Sequence, residues 1–170
     1  MATPQDNAYK PHNHNLCIKS ALQEARTLCQ NRGARLTPLR EKVLELVWQN
    51  HQPVGAYDIL AELARQESRP AQPPTVYRAL EFLLEQGLVH RLSSINAYIG
   101  CPNPDSHSSK VDQSCFLICE NCRITIEMEN PVITQALNDC AKEHRFSVSS
   151  STIELTGLCT NCSKSKHSHD

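Results

Sequence analysis

Cys119-Glu120-Asn121-Cys122 and Cys159-Thr160-Asn161-Cys162 form two Cys-x-x-Cys pairs separated by 36 residues. Each pair places two sulfurs on one tight turn. Together they offer four thiolates at the ~2.3 Å distance and tetrahedral geometry that zinc prefers. A single pair would read equally well as a redox motif, but both pairs here follow apolar, β-prone segments, Phe116-Leu117-Ile118 and Ile153-Glu154-Leu155. Two disulfides are the competing reading, and the expected compartment decides against them. The opening Met1-Ala2-Thr3-Pro4-Gln5-Asp6 lacks the basic and then apolar order of a signal peptide. No apolar run approaches the ~18 residues of a membrane span. A cytoplasmic location is therefore expected, and clustered cysteines in reducing surroundings more often hold metal than pair with one another.

The segment that carries these pairs needs such a clip. Residues 104–170 are only 67, many of them Ser, Asn and Lys, and so small a core seldom supplies enough burial without a metal or a partner subunit. Between the pairs, Ile124 and Ile126 alternating with Thr125 and Glu127 predict a strand, about 131–144 a helix and about 146–155 a further strand. Val132, Ile133, Ala136, Leu137 and Cys140 fall on one side of that helix. A three-stranded antiparallel sheet with an exposed edge is expected, of a kind that pairs naturally across a two-fold axis.

The rest of the chain differs in composition. Residues 1–95 carry 11 Lys and Arg against 9 Asp and Glu, residues 96–170 carry 6 against 9, and seven of the nine cysteines lie in the second part. Two modules are implied. With a net charge of -1 for all 170 residues, a nucleic-acid role has to come from a local arrangement rather than from bulk charge. Residues 1–14 are polar and read as a tail. From Asn15, Leu16, Ile18, Leu22, Ala25 and Leu28 follow a helical period up to Gly33. Thr37-Pro38 reads as an N-cap and first helical position, with Val43, Leu44 and Val47 inward. A third helix after Gly55 turns Ile59, Leu60 and Leu63 inward, and a fourth runs from near Pro74-Thr75 to before Gly87 on an apolar stripe of Val76, Leu80, Leu83 and Leu84. Leu88–Leu92 and Asn96–Ile99 flank a polar turn and predict a hairpin.

Helices followed by a hairpin give the order of a winged helix-turn-helix, in which the fourth helix is the reader. Thr75, Tyr77 and Arg78 gather at its N-terminal end, where backbone N–H groups favour phosphate. An Arg there reaches guanine edges with two parallel hydrogen bonds. On the helix alone, Arg78 reads as an ordinary solvated residue; the neighbouring Thr75 and Tyr77 strengthen the DNA reading. Tyr57, at the start of the third helix, is a further phosphate candidate.

Leu36-Thr37-Pro38-Leu39-Arg40, Pro74-Thr75-Val76-Tyr77-Arg78-Ala79-Leu80, Gly87-Leu88-Val89-His90 and the two cysteine pairs together resemble the ferric uptake regulator family. The resemblance covers about residues 15–163 and is strongest to the zinc uptake regulator branch. It implies an α+β chain with a winged-helix DNA-binding domain at 15–95, a hinge at 96–103, a small α/β dimerisation and zinc-binding domain at 104–163, and a tail at 164–170. It further implies a homodimeric, zinc-dependent repressor of double-stranded operator DNA, controlling zinc-uptake genes, with no catalytic role, no small-molecule substrate and no membrane partner. Two zinc ions per chain follow. A structural one falls on Cys119, Cys122, Cys159 and Cys162, and a regulatory one at the domain junction on His90, Cys101, His107 and Glu127. Taken alone, His90 and Cys101 read as packed residues, and Asp105 and Cys115 compete with His107 as the loop's ligand.

Ligand chemistry separates the metals. Iron and peroxide regulators of this family carry a His-rich stretch soon after this point, whereas Pro102-Asn103-Pro104-Asp105-Ser106-His107 has one histidine. A thiolate such as Cys101 suits zinc better than ferrous iron. An iron or peroxide sensor and a thiol redox switch remain as alternatives. A deaminase-like zinc enzyme does not, because no His-x-Glu followed by Pro-Cys-x-x-Cys occurs. Cys17, Cys29 and Cys140 lie on helical patterns and are expected in cores. His12, His14, His167 and His169 sit in the terminal tails and are expected to be inert.

Overall fold

The computed structural model describes residues 14–49, 52–66, 71–104 and 112–166. Among these, 14–104 form one compact unit and 112–166 another. The first is built of α1 (His14–Asn31), α2 (Pro38–Val47), α3 (Ala56–Gln66), α4 (Pro73–Glu85) and a hairpin of β1 (Val89–Leu92) and β2 (Ala97–Gly100). Punctuation in the sequence sets these boundaries. Gly33, just beyond α1, takes φ +65°, a left-handed conformation that a side chain would strain. The Thr37 hydroxyl accepts the Arg40 N–H at 3.4 Å and Pro38 occupies the first turn of α2. Pro73 and Pro74 open α4.

The apolar stripes converge as their spacing predicts. Val43, Leu44, Val47, Ile59, Leu63, Val76, Leu80 and Leu83 are buried in one cluster, with Leu60 and Leu84 packed at its margin. Phe82, off the predicted stripe, is buried as well, and the Arg40 guanidinium stacks 3.6 Å from the centre of its ring. Cys29 is buried among these side chains, and burial raises its thiol pKa. β1 and β2 pair antiparallel, Val89 with Gly100 and Leu92 with Ala97. Val54 exchanges backbone hydrogen bonds with Tyr98 at 2.9 and 2.8 Å, tying the wing to the segment before α3. Residues 97–100 are thus part of the wing, and a hinge at 96–103 is too early: the ladder continues to Cys101, whose N–H donates to Leu88 O at 3.0 Å.

The second unit contains β3 (Asp112–Cys119), β4 (Thr125–Met128), α5 (Pro131–Glu143), β5 (Ser150–Gly157) and α6 (Thr160–Lys166). The sheet order is β4-β3-β5. β3 and β4 are antiparallel, as their short connection requires, but β5 runs parallel to β3, with Asp112 opposite Ser150 and Cys119 opposite Gly157. The sheet is therefore mixed, not antiparallel throughout. The connection explains this. The 13 residues of α5 advance the chain by about 20 Å at about 1.5 Å each. Arg145, at φ 55° and donating its N–H to Lys142 O at 2.9 Å, turns the chain back after α5, and residues 146–149 lead it to β5. The chain re-enters the sheet at the end where β3 began.

Several expectations for this unit change. No residue of α5 is buried; Val132 is 76% exposed and Cys140 is exposed, so Cys140 is not a core residue. The α5 side of the sheet instead centres on Cys115, flanked in register by Met128 and Ile153 and lining a small cleft with Ile133 and Leu137. Leu117 and Leu155, register partners, remain exposed. Helix α6 extends to Lys166, so residues 164–166 continue a helix rather than begin a tail. Among the described residues no helix is long and apolar enough to cross a membrane.

Replacing the fully buried Leu80 by Ala is expected to destabilise the first unit by about 2–5 kcal/mol, read from the urea midpoint. Tyr77→Ala, on the exposed side of the same helix, is expected to change it by about 0.5 kcal/mol or less.

Candidate metal centre and nucleic-acid interface

The parallel register of β3 and β5 ends both strands at the same edge of the sheet. The two Cys-x-x-Cys turns leave from that edge, and the Glu120 N–H extends the ladder to Gly157 O at 2.8 Å. In the first turn, Arg123 takes φ 60° and donates its N–H to Cys119 O at 3.0 Å, while the Cys119 N–H donates to Ile124 O at 2.9 Å. The second turn is the start of α6, closed by the Ser163 N–H to Cys159 O at 2.9 Å. The sulfurs of Cys119, Cys122, Cys159 and Cys162 lie within 4.8 Å of one another.

This geometry fits zinc. No disulfide joins any of the nine cysteines. Cys122 Sγ and Cys159 Sγ are 3.7 Å apart, close to the edge of a tetrahedron with ~2.3 Å metal–sulfur bonds, about 3.8 Å, and well beyond a ~2.05 Å disulfide. The thiols are poised unequally. Backbone N–H groups of Cys122 and Cys159, the latter at 3.4 Å, hold Cys119 down to about 6. For Cys122 the Ile124 N–H pulls downward, but burial and the sulfurs of Cys119, Cys162 and Cys159 push it up to about 12. Four sulfurs this close repel one another as anions, and a divalent cation at their centre offsets that repulsion. Asn121, to which sequence reasoning gave no role, donates Nδ2–H to Cys162 Sγ at 3.3 Å, as outer-shell partners orient a ligand. Its place between two cysteines was the available signal.

The other predicted ligands divide between the units. His90 pairs with Ile99 in the wing, and Cys101 lies two residues beyond Ile99. Period-two alternation puts the two side chains on one face, and their ligand atoms lie within 4.8 Å of each other. Cys101 is buried and His90 half-buried. In the second unit, Glu127 is buried on β4, opposite Phe116. His107 and its competitor Asp105 lie outside the described residues, as do His12, His167 and His169. Cys115, the remaining competitor, is a core residue of the sheet, its thiol pKa raised by burial.

Thr75, Tyr77 and Arg78 are all exposed at the N-terminal end of α4, as expected of a reading surface, and Tyr57 is 74% exposed at the start of α3. One part of the expectation fails. Pro73 and Pro74 have no N–H, and the Thr75 and Val76 N–H groups already donate to Gln72 O at 2.9 and 3.3 Å. Residues 73–76 therefore offer no free backbone donor to a phosphate, and any contact they make there falls to side chains.

A winged helix with an open reading helix, followed by a small sheet unit holding a closed four-sulfur centre, defines a class of metal-binding helix-turn-helix proteins. The chain belongs to the ferric uptake regulator family, whose sequence profile matches residues 31–156. It is 38% identical over 141 residues to the zinc uptake regulation protein of Escherichia coli K12, spanning 83% of this chain and 80% of that one. A solved zinc uptake regulator in complex with zinc and DNA superposes with a TM-score of 0.81 at 35% identity, over 88% of this chain and 97% of that one. Holo XcZur gives 0.77 at 37% identity, over 85% of this chain and 98% of that one.

Cys159→Ser is expected to carry one zinc ion fewer per chain than the wild type, counted by elemental analysis, and to melt at a lower temperature. Unchanged metal content would mean that the four sulfurs share no ion.

Proposed function

We propose that this protein is a zinc-responsive transcriptional repressor that works in the cytoplasm as a homodimer on operator DNA. In this reading Cys119, Cys122, Cys159 and Cys162 hold a structural zinc ion, and His90, Cys101, Glu127 and His107 hold a second, regulatory one. The observation that carries it is the pairing of a thiolate and an imidazole on one face of the wing, in the same unit as the reading helix. Zinc accepts sulfur, nitrogen and oxygen ligands together. The identity to the zinc uptake regulation protein supports the same metal.

The two centres have different duties. Four thiolates close the coordination sphere, leave no position for a reacting water and favour structure over catalysis. The second set draws ligands from both units. His90 and Cys101 bring the wing, Glu127 brings β4, and holding all of them at one bound ion favours one arrangement of the units over the others. Such a difference in affinity is the only way a ligand shifts a conformational population. The favoured arrangement sets the spacing of two reading helices in a dimer, so that each meets a half-site. Exposed Leu117 and Leu155, together with the uncovered α5, are the apolar surface that a second copy of the sheet unit would cover. With zinc plentiful the dimer occupies its operators and zinc-import genes are silent; with zinc scarce it lets go.

An iron- or peroxide-sensing reading is the runner-up, because relatives of those names also match. Cys101 disfavours it, since a thiolate in the set selects a softer metal than ferrous iron.

Cys101→Ser and His90→Ala are expected to fold and dimerise but to lose zinc-dependent operator binding, read by gel shift with a family-type operator across buffered free zinc and iron. Equal binding by wild type and variants, with and without zinc, would overturn the regulatory site. Arg78→Ala is expected to weaken operator binding by about 1–3 kcal/mol and to relax base preference at one position, measured by competition between operator variants.

A further inference from the structure

Trp48 is the sole tryptophan of the chain. It caps α2, its N–H donating to Leu44 O, and its half-buried indole packs against the core of the first unit. The indole also covers Gly100. A Cβ at Gly100 would overlap indole atoms Cε2 and Nε1 and come 2.8 Å from Cδ2. Gly100 is an ordinary strand residue of β2 without a positive φ. Its lack of a side chain therefore serves the close approach alone.

The place of this contact gives it meaning. Gly100 immediately precedes Cys101 and stands opposite Val89, which precedes His90. Because successive strand residues point to opposite faces, Gly100 faces the indole while Cys101 and His90 share the other face. A rigid bicyclic ring pressed directly on strand backbone determines where that strand lies. Metal ligands tolerate displacements of only about 0.2 Å.

We propose that Trp48 is a positioning residue for the regulatory zinc site: its indole, seated on the bare backbone of Gly100, holds the end of β2 so that Cys101 and His90 present their ligand atoms at one point. This rests on the zinc reading above and adds the residue that preorganises half of that site from behind. The Trp48–Gly100 pair acts as one unit, a large ring matched to an absent side chain.

The test is zinc competition against a chromophoric chelator with the full chain, resolving the first and second ions. Gly100→Ala is expected to weaken the second ion about tenfold or more by forcing ring and strand apart, with the first ion and the circular dichroism spectrum unchanged. Trp48→Leu alone is expected to weaken the second ion by a smaller factor. In the Gly100→Ala background, Trp48→Leu is expected to recover affinity for the second ion. That reversal comes from matched sizes, not from general stability. Wild-type affinity for the second ion in either single variant, or a double variant no tighter than Gly100→Ala, overturns the proposal. If Gly100→Ala does not fold, Trp48→Leu alone decides. Cys101→Ser separates the two layers. If it binds as many zinc ions as the wild type, the regulatory site itself falls. If it loses one while the Trp48 and Gly100 variants keep theirs at full strength, only the positioning role falls.

Discussion

The parallel pairing of β3 with β5 is the constraint on which the four-sulfur cluster depends. Each cysteine pair is a local device, a turn leaving the end of a strand. Whether four sulfurs meet is decided by strand direction. With Cys119 opposite Gly157, both turns leave the same edge of the sheet; an antiparallel pairing would have sent them to opposite ends. The unit has little else to hold it. No described residue of α5 or α6 is buried, and the unit's best-buried side chains are few. A cross-link of about 10–16 kcal/mol in apparent binding energy, as structural zinc supplies in small domains, is then comparable with the whole stability of a typical domain, about 5–15 kcal/mol.

The first unit follows a different economy. Its core is continuous, from Ala25 on α1 to Tyr98 on β2, and it leaves two surfaces for other work. One is the N-terminal end of α4, where Thr75, Tyr77 and Arg78 point outward because Val76, Ala79 and Leu80 point in. The other is the face of the wing that carries His90 and Cys101. Both surfaces are by-products of alternation, with period 3.6 in the helix and 2 in the hairpin. The same residues that bury the core therefore orient the residues that face ligands.

Legibility followed the range of the interaction. Helix starts at Thr37-Pro38 and near Pro74-Thr75, the latter one residue after the observed Pro73, were readable because a cap or a proline acts on its own neighbours. The four-sulfur cluster was readable because zinc chemistry requires all four donors, wherever they lie in sequence. The sheet's mixed direction was not, because alternation in β5 is the same whichever way it runs; it follows from the turn after α5, which returns the chain to the end where β3 began. Helix α6 was missed because Thr160–Lys166 has no apolar period. The stripe on α5 was seen, but a stripe states what a helix offers for burial and not what covers it, so Cys140 was misplaced. Phosphate donors at α4 were expected from its position, but two prolines and Gln72 O leave none at residues 73–76.

The pairing of residues 112–119 with 150–157 has a further bearing on how the protein is made. A chain emerging from the ribosome closes the wing from neighbours, because β1 and β2 are joined by a tight turn. The sulfurs at 119 and 122 must wait for 159 and 162, and for a long excursion through α5 to return before they have partners. Closing such a loop is slow compared with local structure. In the proposed reading, capture of the structural ion is thus a late event of biogenesis, and a nascent chain whose first unit is already finished still lacks the clasp of its second half.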